Sequence, residues 1–223
     1  MTAGIFDDIR CVLLDIDGTL VDSNEFHVKA WAEAFERHGH PLDASDIRQQ
    51  IGKGADQLIP TLRPDLPEEM REKITKAHDE IFRSRYLPQV RAFDGAAEFV
   101  VSLNRRGIKV VLASSANQRE VDHYIELLDI ENVLAATTCA DDVENSKPAR
   151  DIFAAALEKI ASATADRALV IGDTPYDVIA ATKCGIATVA VLSGGFTEEV
   201  LRRAGARVIY KSIAELGAGL DSH

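Results

Sequence analysis

The chain has 223 residues, 46% hydrophobic and 27% charged, with a net charge of -11, the balance of a soluble globular protein with room for one large or two modest cores. The acidic excess disfavours nucleic acid and anionic membrane as partners, since both need a basic surface, and it obliges any phosphate site to bring its own positive charge. Cys11, Cys139 and Cys184 show no paired spacing, the start has no apolar signal segment, and no apolar run approaches about 18 residues, so a cytoplasmic protein is expected.

The first element is Cys11 to Leu14, an unbroken apolar run too short for a helix, which reads as a buried strand of a parallel sheet. Asp15 stands at its carboxyl end, the edge where open α/β sheets bind ligands. If the extended backbone persists, a period of two turns Asp15 and Asp17 to the same side, and Gly18 lets the chain swing away. Two carboxylates so close repel each other unless a cation or proton intervenes, and a hard divalent metal would relieve them. A helix N-cap or an exposed acidic turn would also account for an isolated Asp-x-Asp. A calcium loop does not fit, because Thr19, Leu20 and Phe26 stand where it needs an acid, Gly and Glu.

A helix is expected from Glu25 to His38, but the next apolar strand arrives only at Ile108 to Ala113. The interval is far longer than one crossover needs. It carries helix formers over Ala44 to Gln50, Ala55 to Leu62 and Glu68 to Tyr86, with prolines 60, 64 and 67 between them. We read residues 23–90 as a helical domain inserted into a core of residues 1–22 and 91–223. Downstream, helices Ala96 to Arg106, Gln118 to Leu128, Ala149 to Ala161 and Tyr176 to Cys184 alternate with strands. Those strands are Val133 to Thr138, Ala168 to Ile171, Ala187 to Val191 and Arg207 to Tyr210. Repeated βα units predict an α/β fold, a doubly wound parallel sheet with helices on both faces. His27, His38, His40, His78, His123 and His223 show no ligand spacing and read as packing or surface residues.

The strand ends share one chemistry. Strand Ile108 to Ala113 runs into Ser114-Ser115, Lys147 stands alone in an acidic loop before Pro148, and Ala168 to Ile171 runs into Gly172-Asp173-Thr174-Pro175-Tyr176-Asp177. Singly, each is explained by helix capping or solvation. Jointly, they put acids, a hydroxyl and a cation at one sheet edge.

In order, Asp15-x-Asp17-x-Thr19, Ser114, Lys147 and Gly172-Asp173-x-x-x-Asp177 resemble the four motifs of the haloacid dehalogenase-like hydrolases, over essentially the whole chain. The nearest likeness is to the beta-phosphoglucomutase-like and phosphoglycolate phosphatase-like members, whose Rossmann-like core carries an inserted helical cap. The resemblance implies Asp15 as nucleophile, Asp17 as acid and base, and Thr19 orienting Asp17. It implies Ser114, Ser115 and Lys147 around the phosphoryl group, and Mg2+ held by Asp15, the Asp17 carbonyl and Asp173, with Asp177 outside them. Lys53, in the loop Ile51 to Ala55, is expected to help choose a small anionic substrate. The implied activity is hydrolysis of small phosphate monoesters by a monomer or weak homodimer. A sugar-phosphate mutase is the rival. Mutases of this type carry an Arg where Gly54 stands, and a Glu-Asp pair where this chain has Gly172-Asp173. A non-catalytic phospho-ligand-binding protein is the remaining alternative. The founding dehalogenases lack the acid at position 17.

Overall fold

A computed structural model describes residues 3–161 and 163–220; residues 1–2, 162 and 221–223, His223 included, lie outside it. Six parallel strands, β1 (Cys11–Leu14), β2 (Lys109–Ala113), β3 (Ala136–Thr138), β4 (Ala168–Gly172), β5 (Ala187–Val191) and β6 (Val208–Tyr210), form one sheet in the order β3-β2-β1-β4-β5-β6. The order reverses beside β1, so the crevice of a doubly wound sheet opens at its end. Leu14 pairs with Leu112 on one side and Ile171 on the other, so β1, β2 and β4 end nearly level.

Alternation sorts the strand side chains into two cores. Val12, Leu14, Val110, Leu112, Leu169 and Ile171 face one, while Cys11, Leu13, Val111, Ala113, Ala168 and Val170 face the other. In chain order the helices are α1 (Ala3–Phe6), α2 (Asn24–Arg37), α3 (Ala44–Arg48), α4 (Ala55–Leu62), α5 (Glu68–Ile81), α6 (Ala96–Arg105), α7 (Gln118–Leu128), α8 (Asp151–Glu158), α9 (Pro175–Lys183), α10 (Glu198–Ala204) and α11 (Ile213–Ala218). Helices α6, α7 and α11 cover the first face through Phe99, Val121, Tyr124 and Leu216; α8 and α9 cover the second through Phe153, Ala156 and Ala180.

Between β1 and β2 the described elements are all helical, as the periodicity predicts. The expected helix Glu68 to Tyr86 is not uniform: α5 stops at Ile81, and Phe82–Tyr86 widens into a π-turn. There Tyr86 stacks on Phe26 with ring centroids 5.7 Å apart and donates to Glu33. The strand expected from Val133 is confined to Ala136–Thr138, because Glu131–Val133 forms a 3-10 turn. The helix expected from Ala149 begins at Asp151, because Ala149 N–H closes a turn onto Ser146 O. No described helix is long and apolar enough to cross a membrane.

Candidate active site

Three neighbouring strands deliver the acids and hydroxyls of the site. Asp15 leaves β1 with its N–H on Ile171 O at 2.9 Å, Ser114 leaves β2 with its N–H on Thr138 O at 3.0 Å, and Asp173 leaves β4. Asp15, Ser114, Lys147, Asp173 and Asp177 are all buried. Lys147 Nζ donates to Asp15 Oδ1 and lies 2.7 Å from Asp177 Oδ1. Thr174 and Asp177 cap α9 reciprocally, the Thr174 N–H and hydroxyl donating to Asp177 Oδ2 at 3.1 and 2.6 Å. That cap fixes Asp177 facing Lys147.

Asp15, Asp173 and Asp177 present oxygens within 4.8 Å of one another, and Lys147 is the cation among them. Burial is the largest influence on Asp15 and lifts its pKa to about 7; the charges of Asp177 and Asp17 add to it, and the pull of Lys147 does not cancel them. Burial, then the charges of Asp15 and Asp177, hold Asp173 well above the usual carboxylate range. Burial opposes the charge on Lys147, but the two carboxylates it touches prevail and raise its pKa. Three crowded carboxylates against one ammonium, all oxygen donors, fit a hard divalent cation. Gly18 makes room for this cluster: its φ is +74°, and a Cβ there would stand 2.3 Å from Asp173 Oδ2 and from Asn24 Nδ2.

Asp17 occupies a different environment. Ser23 donates to its Oδ1 at 2.5 Å, His27 Nε2 lies 3.2 Å from the same oxygen, and Ser114 donates to Oδ2 at 3.4 Å. Its carboxylate is therefore outside the cluster of three. Burial alone would raise its pKa, but His27 and Ser23 overcome that and lower it. Burial likewise works against a charged His27, and Asp17 overcomes it, raising the imidazole's pKa. His27 Nδ1 lies 3.3 Å from His78 Nε2, and His78 Nδ1 lies 3.0 Å from Asp79 Oδ1. Burial lowers the His78 pKa. A charged His27 donates at both nitrogens, so a neutral His78 accepts from it and donates to Asp79, a consistent order along the row.

The hydroxyl of Thr19 donates to Asp173 Oδ1 at 2.9 Å and Asp15 Oδ2 at 3.2 Å. It is fully buried, and among the described residues no hydrogen bond joins it to Asp17, which the resemblance has it orient. Ser23 and His27 hold Asp17 instead. Ser115 donates to Gly52 O at 3.3 Å, and Lys53 Nζ donates to Gln50 Oε1 at 2.6 Å and Thr61 Oγ1 at 3.2 Å, over the Tyr176 ring. Both line a cavity of about 210 Å³ together with Asp15, Asp17, His27, Trp31, His78, Ser114, Asn117 and Glu120. Residues the motifs do not announce complete the site. Asn24 Nδ2 bridges Asp173 Oδ2 and Gly194 O at 3.1 and 3.2 Å. His27 stacks on Phe82 and His78 on Trp31, each with ring centroids under 4 Å apart. The sequence signals for His27 and Trp31 are their four-residue separation, which puts them on one face of α2, and their place in the resemblance, where related members have cap and linker residues.

The profile of the haloacid dehalogenase-like hydrolases matches residues 12–191. Phosphoglycolate phosphatase from Rhodospirillum rubrum is 27% identical over 220 residues, covering 93% of this chain and 89% of its own. Pyrophosphatase PpaX from Bacillus cereus is 27% identical over 188 residues, 82% of this chain and 83% of its own. The crystal structure of a hydrolase from Pseudomonas syringae superposes with a TM-score of 0.89 at 33% identity, over 95% of this chain and 98% of that one. This chain belongs to the haloacid dehalogenase-like hydrolases, and among them it is similar to phosphatases.

Proposed function

We propose that the chain is a magnesium-dependent phosphatase that hydrolyses small phosphate monoesters through an aspartyl-phosphate on Asp15. The observation that carries this reading is the separation of two neighbouring acids into two environments. Asp15 is enclosed with Lys147, Asp173 and Asp177, whereas Asp17 is held by Ser23, His27 and Ser114. A nucleophile and a proton carrier need such different surroundings. Asp15, the Asp17 carbonyl and Asp173 would hold the magnesium, with Asp177 behind them. When bound, the metal supplies positive charge that keeps Asp15 ionised and offsets the phosphoryl charge.

In the first half-reaction an Asp15 oxygen bonds to phosphorus as the bond to the leaving alcohol breaks, and Asp17 relays to that alkoxide the proton it receives from the charged His27 3.2 Å away, which the proton taken up in the second half returns. The proton order from Asp79 through His78 and His27 supports a charged His27 beside Asp17. In the second half, Asp17 takes a proton from the water that attacks phosphorus, and the Asp15 carboxylate is restored with release of phosphate. Ser114 and Lys147 reach the transferring group from β2 and the β3 loop. Helices α2 to α5, residues 23–90, would act as a cap over the core of residues 1–22 and 91–223. With its three cysteines free, the enzyme suits a reducing cytoplasm.

The test is phosphate release from p-nitrophenyl phosphate with and without Mg2+, in wild type and Asp15→Asn. Turnover is expected only with metal, and the variant should fold yet release no phosphate above background. Wild-type turnover in Asp15→Asn would sink the assignment.

A further inference from the structure

The cavity beside Asp15 and Asp17 is lined by two ionisable groups that phosphoryl transfer does not use. Glu120, in the first turn of α7, is only 4% exposed. Asn117 Nδ2 donates to its Oε1 at 2.9 Å, and among the described residues Oε2 has no hydrogen-bond partner and Glu120 no ion pair. Burial lifts its pKa to about 7. The charge of His27, which also acts on Glu120, is bonded to Asp17. Lys53 lines the same cavity with no ion pair among the described residues, its ammonium held by Gln50, Thr61 and the Tyr176 ring. The unpaired acid and the unpaired base therefore face one space without meeting.

Above about pH 7, where Glu120 is ionised, a leaving group that only accepts hydrogen bonds, such as a carboxylate or a second phosphate, would confront its buried carboxylate, where repulsion is poorly screened. One that only donates, such as an ammonium, would confront Lys53. A hydroxyl does both. We propose that Glu120 makes this site selective for phosphate monoesters of neutral, hydroxyl-bearing alcohols and excludes those whose leaving group carries a further negative charge. The inference rests on the phosphatase reading. It departs from the sequence expectation that Lys53 favours an anionic substrate, since the donors of Lys53 are already engaged within the protein.

The test compares kcat/KM for glycerol 3-phosphate, 3-phosphoglycerate and O-phosphoserine, three esters on one carbon skeleton, with p-nitrophenyl phosphate as control. Glycerol 3-phosphate is expected to exceed 3-phosphoglycerate at least about tenfold. Glu120→Gln, which can keep the Asn117 hydrogen bond, should narrow that ratio at least about fivefold by improving 3-phosphoglycerate. Equal or better hydrolysis of 3-phosphoglycerate or O-phosphoserine by wild type would overturn the inference, whether or not the variant folds. So would an unchanged ratio in a folded variant. Hydrolysis of p-nitrophenyl phosphate in either case leaves the phosphatase reading intact; no phosphate from any ester removes both.

Discussion

Lys147 is the residue on which the charge balance of the site turns. Its ammonium is shared between Asp15 and Asp177 with 1% of the side chain exposed, so removing it leaves buried carboxylates without their cation. Lys147→Met should destabilise the metal-free protein by about 3–5 kcal/mol and slow turnover roughly a hundredfold or more. Millimolar Mg2+ should restore more of the variant's stability than it adds to wild type; equal gains in urea titrations would show that the metal and Lys147 do not share these acids. Glu120 gives a pH signature. Its folded pKa of about 7 lies above the ordinary 4.5, so between those values the unfolded chain binds fewer protons and stability falls as pH rises. Relative to Glu120→Gln, wild type should therefore lose on the order of 2–3 kcal/mol between pH 5 and pH 8, and a gap constant with pH would contradict the burial argument. Such partners are invisible in sequence. Nothing in Thr19 announces that its hydroxyl turns to Asp173, 154 positions away, and not to Asp17.

At the level of elements, the sheet was legible because β1, β2 and β4 are short apolar runs that stop at Asp15, Ser114 and Asp173, and the helices because α2, α5, α6 and α7 repeat their apolar residues at helical spacing. The lengths failed where local bonding competes with periodicity, at the π-turn Phe82–Tyr86 and the 3-10 turn before β3. Helices α10 and α11 went unread although Thr197 and Ser212 cap them, since seven and six residues carry too few turns for a period to show. Also unreadable was the docking of the loop between α3 and α4 onto the strand ends. Gly54 N–H donates to Ser146 Oγ at 2.9 Å, Asp56 accepts from Ser146 N–H at 3.0 Å and from its hydroxyl, and a Cβ on Gly52 would come within 2.6 Å of Thr174. Because Ser146 adjoins Lys147, this latch ties the loop to the cation. Asp56→Ala should speed amide exchange over residues 49–55 and lower kcat/KM about tenfold, a loss of about 1.4 kcal/mol. Unchanged exchange there would show that the latch does not hold the loop.

Across the whole molecule, the proposed attack by Asp15 serves two outcomes, since the phosphoryl group can go to water or back to a sugar. A mutase must grip a sugar bisphosphate at both ends, so it needs a fixed cation on the helical side opposite the strand ends. Gly54, which the sequence resemblance sets at the place of the mutases' Arg, has its N–H bound to Ser146. Lys53, the neighbouring cation, gives its ammonium to Gln50 and Thr61, and a lysine is a point charge without the guanidinium fork that clamps phosphate. Glu120, a buried acid, lines the same cavity, and a second phosphate would have to approach it. The surrounding field is no help either, because the chain as a whole carries -11 and a doubly charged ester gains less from it than a single one. With β-glucose 1-phosphate and catalytic glucose 1,6-bisphosphate, the enzyme should release inorganic phosphate and form no more glucose 6-phosphate than a no-enzyme blank. Rapid formation of glucose 6-phosphate with little phosphate released would reassign the second half-reaction to phosphoryl return, while leaving Asp15 as the nucleophile.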